Sequence, residues 1–457
     1  MGTKQIKDPI HGYVPVRDDF IEHLVDHPFF QRLRYIRQLT ATYMVYPSAN
    51  HTRFEHSIGV YHLAGTAFET LRGDGVFRDL DDNAVDEIRD TVLAAALLHD
   101  VGHPPLSHLG EGLLHRTDLL EILTRHNFVE KLAPITSFGQ DPLQQAGAHE
   151  LMTCAIILEE FADGLDTMGI QPKEVCAYVL GLSIIGETED VWQRKVASDL
   201  ISSNFDVDRL DYIARDDHMT GAEVANVDTD RMVRAYTTAG KSLVLSEKAL
   251  SVIRNYLEGR LSLYNWVTQH HKVVYAGELL KRSVTSLQEN WSNDIISVEK
   301  ILEEAVADPY VLEQLRAHTR DHPQSHSAEL FTRFQRREFL HSCWKHRLDY
   351  INTLQSRSLA KEFDKAVDNN AEKVEEWLND SLPDCGDIWV VNSNVPQYDT
   401  AGLRKIYIKQ RDSKLEKQSV EDLDLYVHPK FLQRTPYVFC EKTDRADVVQ
   451  HLIDGLH

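Results

Sequence analysis

The stretch TVLAAALLHDVGHPPLSH, residues 91–108, decides the fold of the chain. Its first eight residues are rich in alanine and leucine, which predicts a helix end buried at the centre of a helical bundle. Gly102 and the two prolines that follow then end the helix. His99 and Asp100 stand between the apolar run and this stop, so two chemically active side chains are expected at a buried helix end.

His99 and Asp100 are predicted to bind a divalent metal ion. Neighbouring buried charges are costly unless something compensates them, and imidazole nitrogen and carboxylate oxygen are both good metal ligands. The alternative is that the pair only caps the helix C-terminus. The partial negative charge there favours a histidine but disfavours an aspartate, so capping explains only half of the pair.

Further histidines follow, with His103 one turn after His99, His108 after two prolines, and His149 in GAHE. For a lone histidine, a structural or surface role is the more common one. A cluster beside a buried His-Asp pair instead favours chemistry, because imidazole can hold phosphate oxygens when protonated and can act as a general acid.

A polar helix is predicted at residues 207–219, with Asp206 as its N-cap. Asp208, Tyr212 and Asp216 share one face of it at a spacing of about 3.6 residues. A solvated charged face is the alternative interpretation. Apolar residues interleave with the charged ones, so we favour a half-buried face with a functional role.

The composition is that of an ordinary globular protein and limits the choice of partners. The 457 residues are 42% apolar and 26% charged, which excludes wholesale disorder, and the length suggests two or three domains. The net charge of −22 argues against polymeric nucleic acid as the main partner. A local basic pocket for a small phosphate ligand is compatible with it.

Cysteine usage and the N-terminus indicate a cellular compartment. The five cysteines are odd in number and lack C-x-x-C spacing, which argues against a disulfide framework or zinc ribbon and for a reducing cytoplasm. The N-terminus lacks the apolar core of a signal peptide, and no apolar run approaches the ~20 residues that span a bilayer. We therefore expect a cytoplasmic protein with no membrane partner.

Apolar periodicity predicts a mainly α fold, with a helical bundle core and a small C-terminal α+β appendage. We divide the chain into a core at 1–290, a helical extension at 291–384 and an α+β region at 385–457 that is rich in strand formers. The predicted elements are a short strand within 1–20, helices at 20–45, 55–73, 83–100, 146–166, 171–186, 207–219 and 247–290, and a hairpin at 237–246.

Five segments resemble the HD-domain phosphohydrolase superfamily and, within it, the deoxynucleoside triphosphate (dNTP) triphosphohydrolases, including the HD region of the vertebrate sterile-alpha-motif/HD-domain enzymes. The resemblance covers nearly the whole chain and implies an HD-domain bundle that hydrolyses dNTPs to deoxynucleoside and inorganic triphosphate. The segments are DPIHG (8–12), FQRLRYIRQL (30–39), RFEHSIGV (53–60), LLHDVGHPPLSH (97–108) and DVDRLDYIARD (206–216), with a weaker match in YVFCEKTDR (437–445).

The resemblance also implies a role for each matching residue. The metal ligands are His56, His99, Asp100 and Asp208, for a divalent ion such as Fe, Mn, Mg, Zn or Ni. His108 is the general acid, Glu111 orients it, and the phosphates are held by His103, His149, Arg53 and Arg209, the last in place of a lysine. The sugar contacts are Gln38, Leu39, Tyr212 and Asp216.

Nucleotide activation is a further implication. In the family, GTP or dGTP binds between subunits of a tetramer, so we expect a homo-oligomer, either a dimer or a tetramer. Two positions predict weakened activation, because His341 and Glu441 stand where the family has basic residues. Gln269 replaces a tyrosine that helps to exclude ribonucleotides, which leaves that discrimination open. The residues that match the activator site are Lys4, Asp26, Gln31, Arg34 and Lys345.

Two other functions stay open. One is a different HD enzyme, such as a nucleotidase, a cyclic-nucleotide phosphodiesterase or a nuclease. The many candidate phosphate-binding residues favour a triphosphate, and the acidic charge disfavours a nuclease. The other is a nucleotide-sensing scaffold with a decayed site, against which the complete ligand set argues.

Overall fold

The computed structural model describes residues 2–131, 143, 146–182, 191–291, 294–392, 406–409, 415–418 and 435–456. Within them the fold is mainly α with small sheets, which confirms the predicted fold class. The main helices are Arg53–Gly73, Asp82–Leu98, Arg116–Arg125, Ala148–Ile156, Ala162–Thr167, Pro172–Val179, Val191–Ser198, Val207–Thr220, Thr229–Val233, Leu250–Leu263, His271–Trp291, Val298–Glu304, Asp308–Asp321, His326–Arg336, Arg347–Thr353, Arg357–Ser381 and Arg445–Gly455.

An antiparallel hairpin lies at the start of the chain, where we predicted one strand. Thr3–Asp8 pairs with Gly12–Arg17. The Asp8 carboxylate accepts two amide hydrogen bonds at 2.8 Å within the turn, and Gly12 follows with a φ of +78°. The first strand is mostly exposed, so it lacks the alternation of apolar residues by which a strand is recognised.

Residues 20–45 do not form the single helix that their apolar spacing predicted. Pro28 lacks an amide hydrogen and starts a new helix, which His27 caps through its ring nitrogen. The spacing therefore identified buried positions correctly but helix length wrongly. The segment contains Asp18–Phe20, Ile21–Val25, Pro28–Gln31, Arg32–Tyr35 and Thr42–Met44.

Three helices form the centre of the bundle. Arg53–Gly73 is buried over most of its surface, and the apolar half of Asp82–Leu98 is wholly buried, as predicted. Val207–Thr220 lies so close to the first helix that a Cβ atom at Gly59 would fall 2.0 Å from a carboxylate oxygen of Asp211. A glycine is therefore required where these two helices meet.

Two other predicted helices differ in length from the observed ones. The helix predicted at 171–186 ends at Val179, and residues 183–190 lie outside the described part of the chain. The pattern at 247–290 is divided into two helices by a wide turn of π geometry at Tyr264–Thr268.

The predicted hairpin at 237–246 forms between Tyr236–Ala239 and Ser242–Ser246. Ser242–Ser246 also pairs in parallel with Ile406–Lys409, which pairs in turn with Leu415–Gln418. Strand pairing thus joins the C-terminal region to the core. The boundaries that we placed at residues 290 and 384 remain predictions.

A second sheet and a helix complete the α+β character of the C-terminal region. Tyr437–Cys440 lies between His341–Ser342 and Trp389–Val391, antiparallel to both. The DLYVH stretch at residues 424–428 is part of the region rich in strand formers, but it lies outside the described residues. No helix in the described part of the chain is long and apolar enough to cross a membrane.

Candidate metal centre and active site

The structure brings together the four side chains predicted to bind metal, His56, His99, Asp100 and Asp208, which we call the metal group. The Nε2 atom of His56 lies 3.3 Å from Nε2 of His99 and 2.9 Å from Oδ1 of Asp208. Asp100 lies beside them, with Oδ1 3.5 Å from Nε2 of His99 and Oδ2 3.7 Å from Nε2 of His56. These residues come from the first turn of Arg53–Gly73, the buried end of Asp82–Leu98 and the first turn of Val207–Thr220.

Both imidazoles of this group are oriented by their other ring nitrogen. Nδ1 of His56 lies 2.7 Å from Oδ2 of Asp211, and Nδ1 of His99 lies 2.9 Å from the carbonyl oxygen of Ala96. Each Nδ1–H therefore donates outward, which leaves the Nε2 atoms of both rings directed at one shared position. Their 3.3 Å separation is close to the ~3.4 Å edge of a tetrahedron with ligand bonds of about 2.1 Å. The donor set thus fits a divalent metal ion.

The charges of the group also favour a cation. Burial lowers the pKa of His56, but hydrogen bonds to Asp208 and Asp211 outweigh burial and raise the pKa to about 10. Burial raises the pKa of Asp208, yet hydrogen bonds from the two histidines hold that pKa well below its ordinary value. The carboxylates therefore stay ionised, and a divalent ion between them supplies more compensating charge than a proton.

Asp211 holds His56 in place, and we did not predict it from the sequence. It is fully buried and also accepts hydrogen bonds from Arg215 and from His11 of the N-terminal hairpin, the latter at 2.7 Å. Arg215 in turn bonds Asp8 at 2.9 Å, so the hairpin is connected to the metal group. The i,i+4 spacing of Asp211 and Arg215 among buried residues was a signal that could have indicated this.

A second group, the histidine cluster, consists of His103, His108, Glu111 and His149. Glu111 joins its members, because its Oε1 lies 2.5 Å from Nδ1 of His108 and its Oε2 lies 3.1 Å from Nδ1 of His149. The rings of His103 and His149 stack at 4.2 Å between centroids. The cluster adjoins the metal group, since Nε2 of His103 lies 3.2 Å from Oδ1 of Asp100.

The histidine cluster combines charged and neutral groups. Burial raises the pKa of Glu111, but hydrogen bonds from His108 and His149 hold that pKa well below its ordinary value. Burial lowers the pKa of His149, and its hydrogen bond to Glu111 outweighs burial and raises it. Burial and the charge of Arg53 lower the pKa of His103. His149 therefore tends to carry a positive charge, whereas His103 is neutral.

The two arginines predicted to bind phosphate lie in different surroundings. Arg53 is buried beside the metal group, with Nη1 2.5 Å from Oδ2 of Asp100 and Nε 3.0 Å from Oγ of Ser107. Arg209 is about one-third exposed and bonds the side chain of Asp206, which caps its helix as predicted. Only Arg53 contacts a predicted metal ligand in this arrangement.

Two of the residues predicted to contact a sugar, Gln38 and Asp216, meet at His51. The amide of Gln38 donates to the carbonyl oxygen of His51 at 3.0 Å, and Nε2 of His51 lies 2.8 Å from Oδ1 of Asp216. Oε1 of Gln38 is buried and has no hydrogen-bond partner among the described residues. The hydroxyl of Tyr212, one turn before Asp216, lies 3.5 Å from that of Tyr264. His51 was not predicted, and its place between two predicted residues was visible only in the structure.

Leu39 follows Gln38 in the sequence. Its side chain is half-buried and packs against the main core. Oε1 of Gln269 is likewise without a hydrogen-bond partner in the described ranges. Its backbone carbonyl accepts from the hydroxyl of Tyr437 at 3.0 Å.

Four of the five predicted activator residues line one cavity of about 530 Å³ beside the N-terminal hairpin. Nε of Arg34 donates to Gln31 at 2.8 Å, and the guanidinium carbon lies 3.4 Å from the ring centroid of Phe54. Lys345 is not part of this lining. It is exposed, its amide bonds Asp349 and its carbonyl accepts from Tyr437. The remaining predicted residues in the lining are Lys4 and Asp26.

Residues 53–216 match the family model of the HD domain. This segment of the chain carries an HD domain. The matched range begins at Arg53 and ends at Asp216, so it contains the metal group and the histidine cluster. All four predicted metal ligands lie within it.

The HD-domain chain is similar to proteins from distant organisms. It is 31% identical to the uncharacterised protein YwfO of Bacillus subtilis over 61% of this chain, and it spans about half (54%) of YwfO. It is 25% identical to the deoxynucleoside triphosphate triphosphohydrolase SAMHD1 of Gallus gallus over 96% of this chain and 72% of that protein. The crystal structure of a phosphohydrolase from Bacteroides thetaiotaomicron has the same fold, with a TM-score of 0.64, 21% identity and coverage of 96% of this chain and 100% of that one.

Proposed function

We propose that this protein is a metal-dependent phosphohydrolase that converts dNTPs to deoxynucleosides and inorganic triphosphate. The observation that carries the proposal is the shared position of Asp100. Its carboxylate lies between the metal group and the histidine cluster, 3.5 Å from His99 and 3.2 Å from His103. A phosphorus atom next to the metal would therefore also be within reach of imidazole donors. The similarity to SAMHD1 across most of the chain supports the choice of substrate.

A divalent metal held by His56, His99, Asp100 and Asp208 would supply Lewis acidity at the α-phosphate. The chain itself provides the leaving-group chemistry. Water attacks the α-phosphorus and releases one proton, and its oxygen stays in the inorganic triphosphate. Nδ1–H of His108 donates to Glu111, so the protonated ring can donate its Nε2–H to the 5′-oxygen as the bond between phosphorus and that oxygen breaks. Glu111 stabilises the protonated ring by its negative charge.

Binding of the triphosphate is assigned to His149, His103 and Arg53. The raised pKa of His149 favours its positively charged form, and the neutral His103 stacked on it can donate one N–H to a phosphate oxygen. Arg53 lies between Asp100 and Ser107 and would neutralise charge near the metal. Arg209 is assigned to the more distant phosphates, which it could reach from its half-exposed position.

The sugar is assigned to the group around His51. Asp216 is held by His51 and can accept a hydrogen bond from the 3′-hydroxyl, with Tyr212 beside it. The unpaired Oε1 of Gln38 offers a further acceptor, and Leu39 contributes an apolar edge. A ligand hydroxyl would satisfy the buried oxygen of Gln38, which otherwise costs free energy.

Product analysis tests the proposal. The purified protein with Mn²⁺ or Mg²⁺ is incubated with each dNTP and each ribonucleoside triphosphate, and the products are separated by ion-exchange chromatography. We expect inorganic triphosphate and deoxynucleoside from at least one dNTP. Release of orthophosphate alone, or no product from all four dNTPs, would exclude this substrate. Parallel reactions with nucleoside monophosphates, cyclic nucleotides and single-stranded DNA test the other HD-enzyme activities.

We also propose that the cavity beside the hairpin binds GTP or dGTP as an activator. Lys4 and Arg34 offer positive charge for phosphates, whereas Gln31 and Asp26 can pair with the edge of a guanine base. Binding of GTP is measured by calorimetry for the wild type and Asp26→Ala, and the oligomeric state by light scattering. We expect binding that the variant weakens, together with a dimer or tetramer. Equal affinity in both proteins would exclude this site.

A further inference from the structure

The loop that carries His103 and His108 has a strained backbone. Leu106 and Ser107 have φ values of +63° and +53°, in the left-handed region that non-glycine residues rarely adopt. Such a conformation persists only where the surrounding structure enforces it. His103 precedes these two residues and His108 follows them directly, so the same backbone determines where both rings lie.

Asp308 enforces this conformation from about 200 residues away in sequence. It is the first residue of Asp308–Asp321 and is buried. Its Oδ1 accepts from the amide of Leu106 at 2.7 Å, and its Oδ2 accepts from the amide of Arg37 at 3.1 Å. Burial raises the pKa of Asp308, and these two amide hydrogen bonds act against that shift. The carboxylate therefore ties the strained residue to the segment that precedes the metal group.

Arg32 holds the other end of the same loop. Its guanidinium is buried and donates to the carbonyl oxygens of Val101 at 2.9 Å, of His103, and of Val306 at 2.7 Å. Burial lowers the pKa of Arg32 to about 9, while the charge of Asp308 acts in the opposite direction. Burial of a charged guanidinium costs free energy, and its three hydrogen bonds to carbonyl groups offset part of that cost. The arrangement indicates that the role of Arg32 is to fix this part of the backbone.

We propose that Arg32 and Asp308 are positioning residues for His103 and His108. Neither is assigned a contact with substrate or metal. Arg32 fixes the carbonyl of His103 and Asp308 fixes the amide two residues before His108, so together they set the distance of both rings from Asp100. The inference rests on the proposed function, in which His108 protonates the leaving oxygen. It also means that residues beyond 290 contribute to the active site through Asp308.

Two substrates separate positioning from general stability. Breakdown of a dNTP requires a proton for the 5′-oxygen, whereas bis(p-nitrophenyl) phosphate releases a stable anion without one. We expect Asp308→Ala to lower dNTP turnover about 10- to 100-fold and ester turnover by only about threefold, because small misplacements of a catalytic group cost that much. Metal content, measured on the purified proteins, should be unchanged. Equal losses on both substrates, or no loss, would overturn the inference.

Matched variants guard against a purely structural effect. Asp364→Ala removes another carboxylate beyond residue 290. Among the described residues, this carboxylate bonds Arg347 and Tyr350 and not the loop at 101–108. It should lower the unfolding midpoint without changing the ratio of the two activities. Asp308→Asn keeps one acceptor for the amide of Leu106 and should recover part of the dNTP turnover. If Asp308→Ala does not fold, Thr40→Val is tested in its place. This variant removes the hydrogen bond that the Thr40 hydroxyl donates to the carbonyl oxygen of Leu106.

Hydrogen exchange distinguishes failure of this inference from failure of the proposed function. In Asp308→Ala, peptides that cover residues 101–110 should exchange faster than in the wild type, whereas peptides from 53–73 should be unchanged. This readout needs no substrate. If the wild type hydrolyses no dNTP but the loop still opens in the variant, the function is wrong and the positioning holds. Unchanged exchange in the loop would overturn the positioning.

Discussion

The metal group and the histidine cluster are neighbours, yet they are constructed differently. The metal group sits on helix ends, and the Nδ1 atoms of His56 and His99 are both held by fixed acceptors. His103 and His108 of the histidine cluster flank two residues with a strained backbone, and the side chain of His108 is 68% exposed. Ligands for a metal need fixed geometry, whereas groups that hold and protonate a substrate must accommodate its arrival. The difference lies in exposure, since the imidazoles of His56 and His99 are buried, whereas that of His108 is exposed on a backbone that Asp308 and Arg32 hold.

Removing a metal ligand should reduce turnover more than any other single substitution proposed here. His99→Ala and Asp208→Ala should each abolish metal binding and turnover, because each removes one of the four side chains proposed to hold the ion. Metal content by mass spectrometry and dNTP turnover check this. His218→Ala is the control, since it removes an exposed histidine from the helix that carries Asp208. Full activity in His99→Ala would mean that the activity comes from another site.

Removing the proposed general acid from the histidine cluster should lower turnover but leave metal binding unchanged. His108→Ala is expected to lower kcat about 10²- to 10⁴-fold, the range for loss of a general acid, with metal content unchanged. Because His108 is exposed, the unfolding midpoint should change little. Retention of turnover within a factor of about two would show that another group protonates the 5′-oxygen.

Weakening the hydrogen bond that orients a metal ligand should make the metal group less rigid and lower its affinity for the ion. Asp211→Asn keeps the volume of the side chain but weakens its hold on Nδ1 of His56, so metal affinity should fall about 10- to 100-fold. Competition with a chelator gives the affinity, and turnover at saturating metal should recover. An unchanged affinity would contradict the assigned role of Asp211.

The smallest effect concerns the pH dependence of stability. Hydrogen bonds hold the pKa of Glu111 below its ordinary value of about 4.3, so its contribution is complete above that pH and is lost as the pH falls towards the folded value. The unfolding midpoint of the wild type should therefore fall more steeply below pH 5 than that of Glu111→Gln. Parallel curves would mean that Glu111 is not stabilised as a carboxylate.

Local sequence patterns predicted the positions that matter within each helix. The apolar run before His99, the N-cap at Asp206 and the spacing within 207–219 are properties of single elements, and all three appear in the structure. The positions of His56 and Asp208 beside His99 came from resemblance, because nothing in the local pattern fixes how three helices cross.

What could not be predicted depends on contacts between distant segments. The bonds from Asp308 to Leu106 and from His11 to Asp211 each join residues about 200 positions apart, and neither partner has a periodicity that reveals the other. The turns within 20–45 were hidden for a related reason, since apolar spacing reports burial and not the continuity of a helix.

In the proposed reaction, water attacks the α-phosphorus of a dNTP next to the metal group. Hydrolysis in H₂¹⁸O, followed by mass spectrometry of the products, shows which phosphorus receives the oxygen of water. We expect one ¹⁸O atom in inorganic triphosphate and none in the deoxynucleoside. Label in orthophosphate or pyrophosphate formed directly from the dNTP, or in the deoxynucleoside, would contradict this proposal.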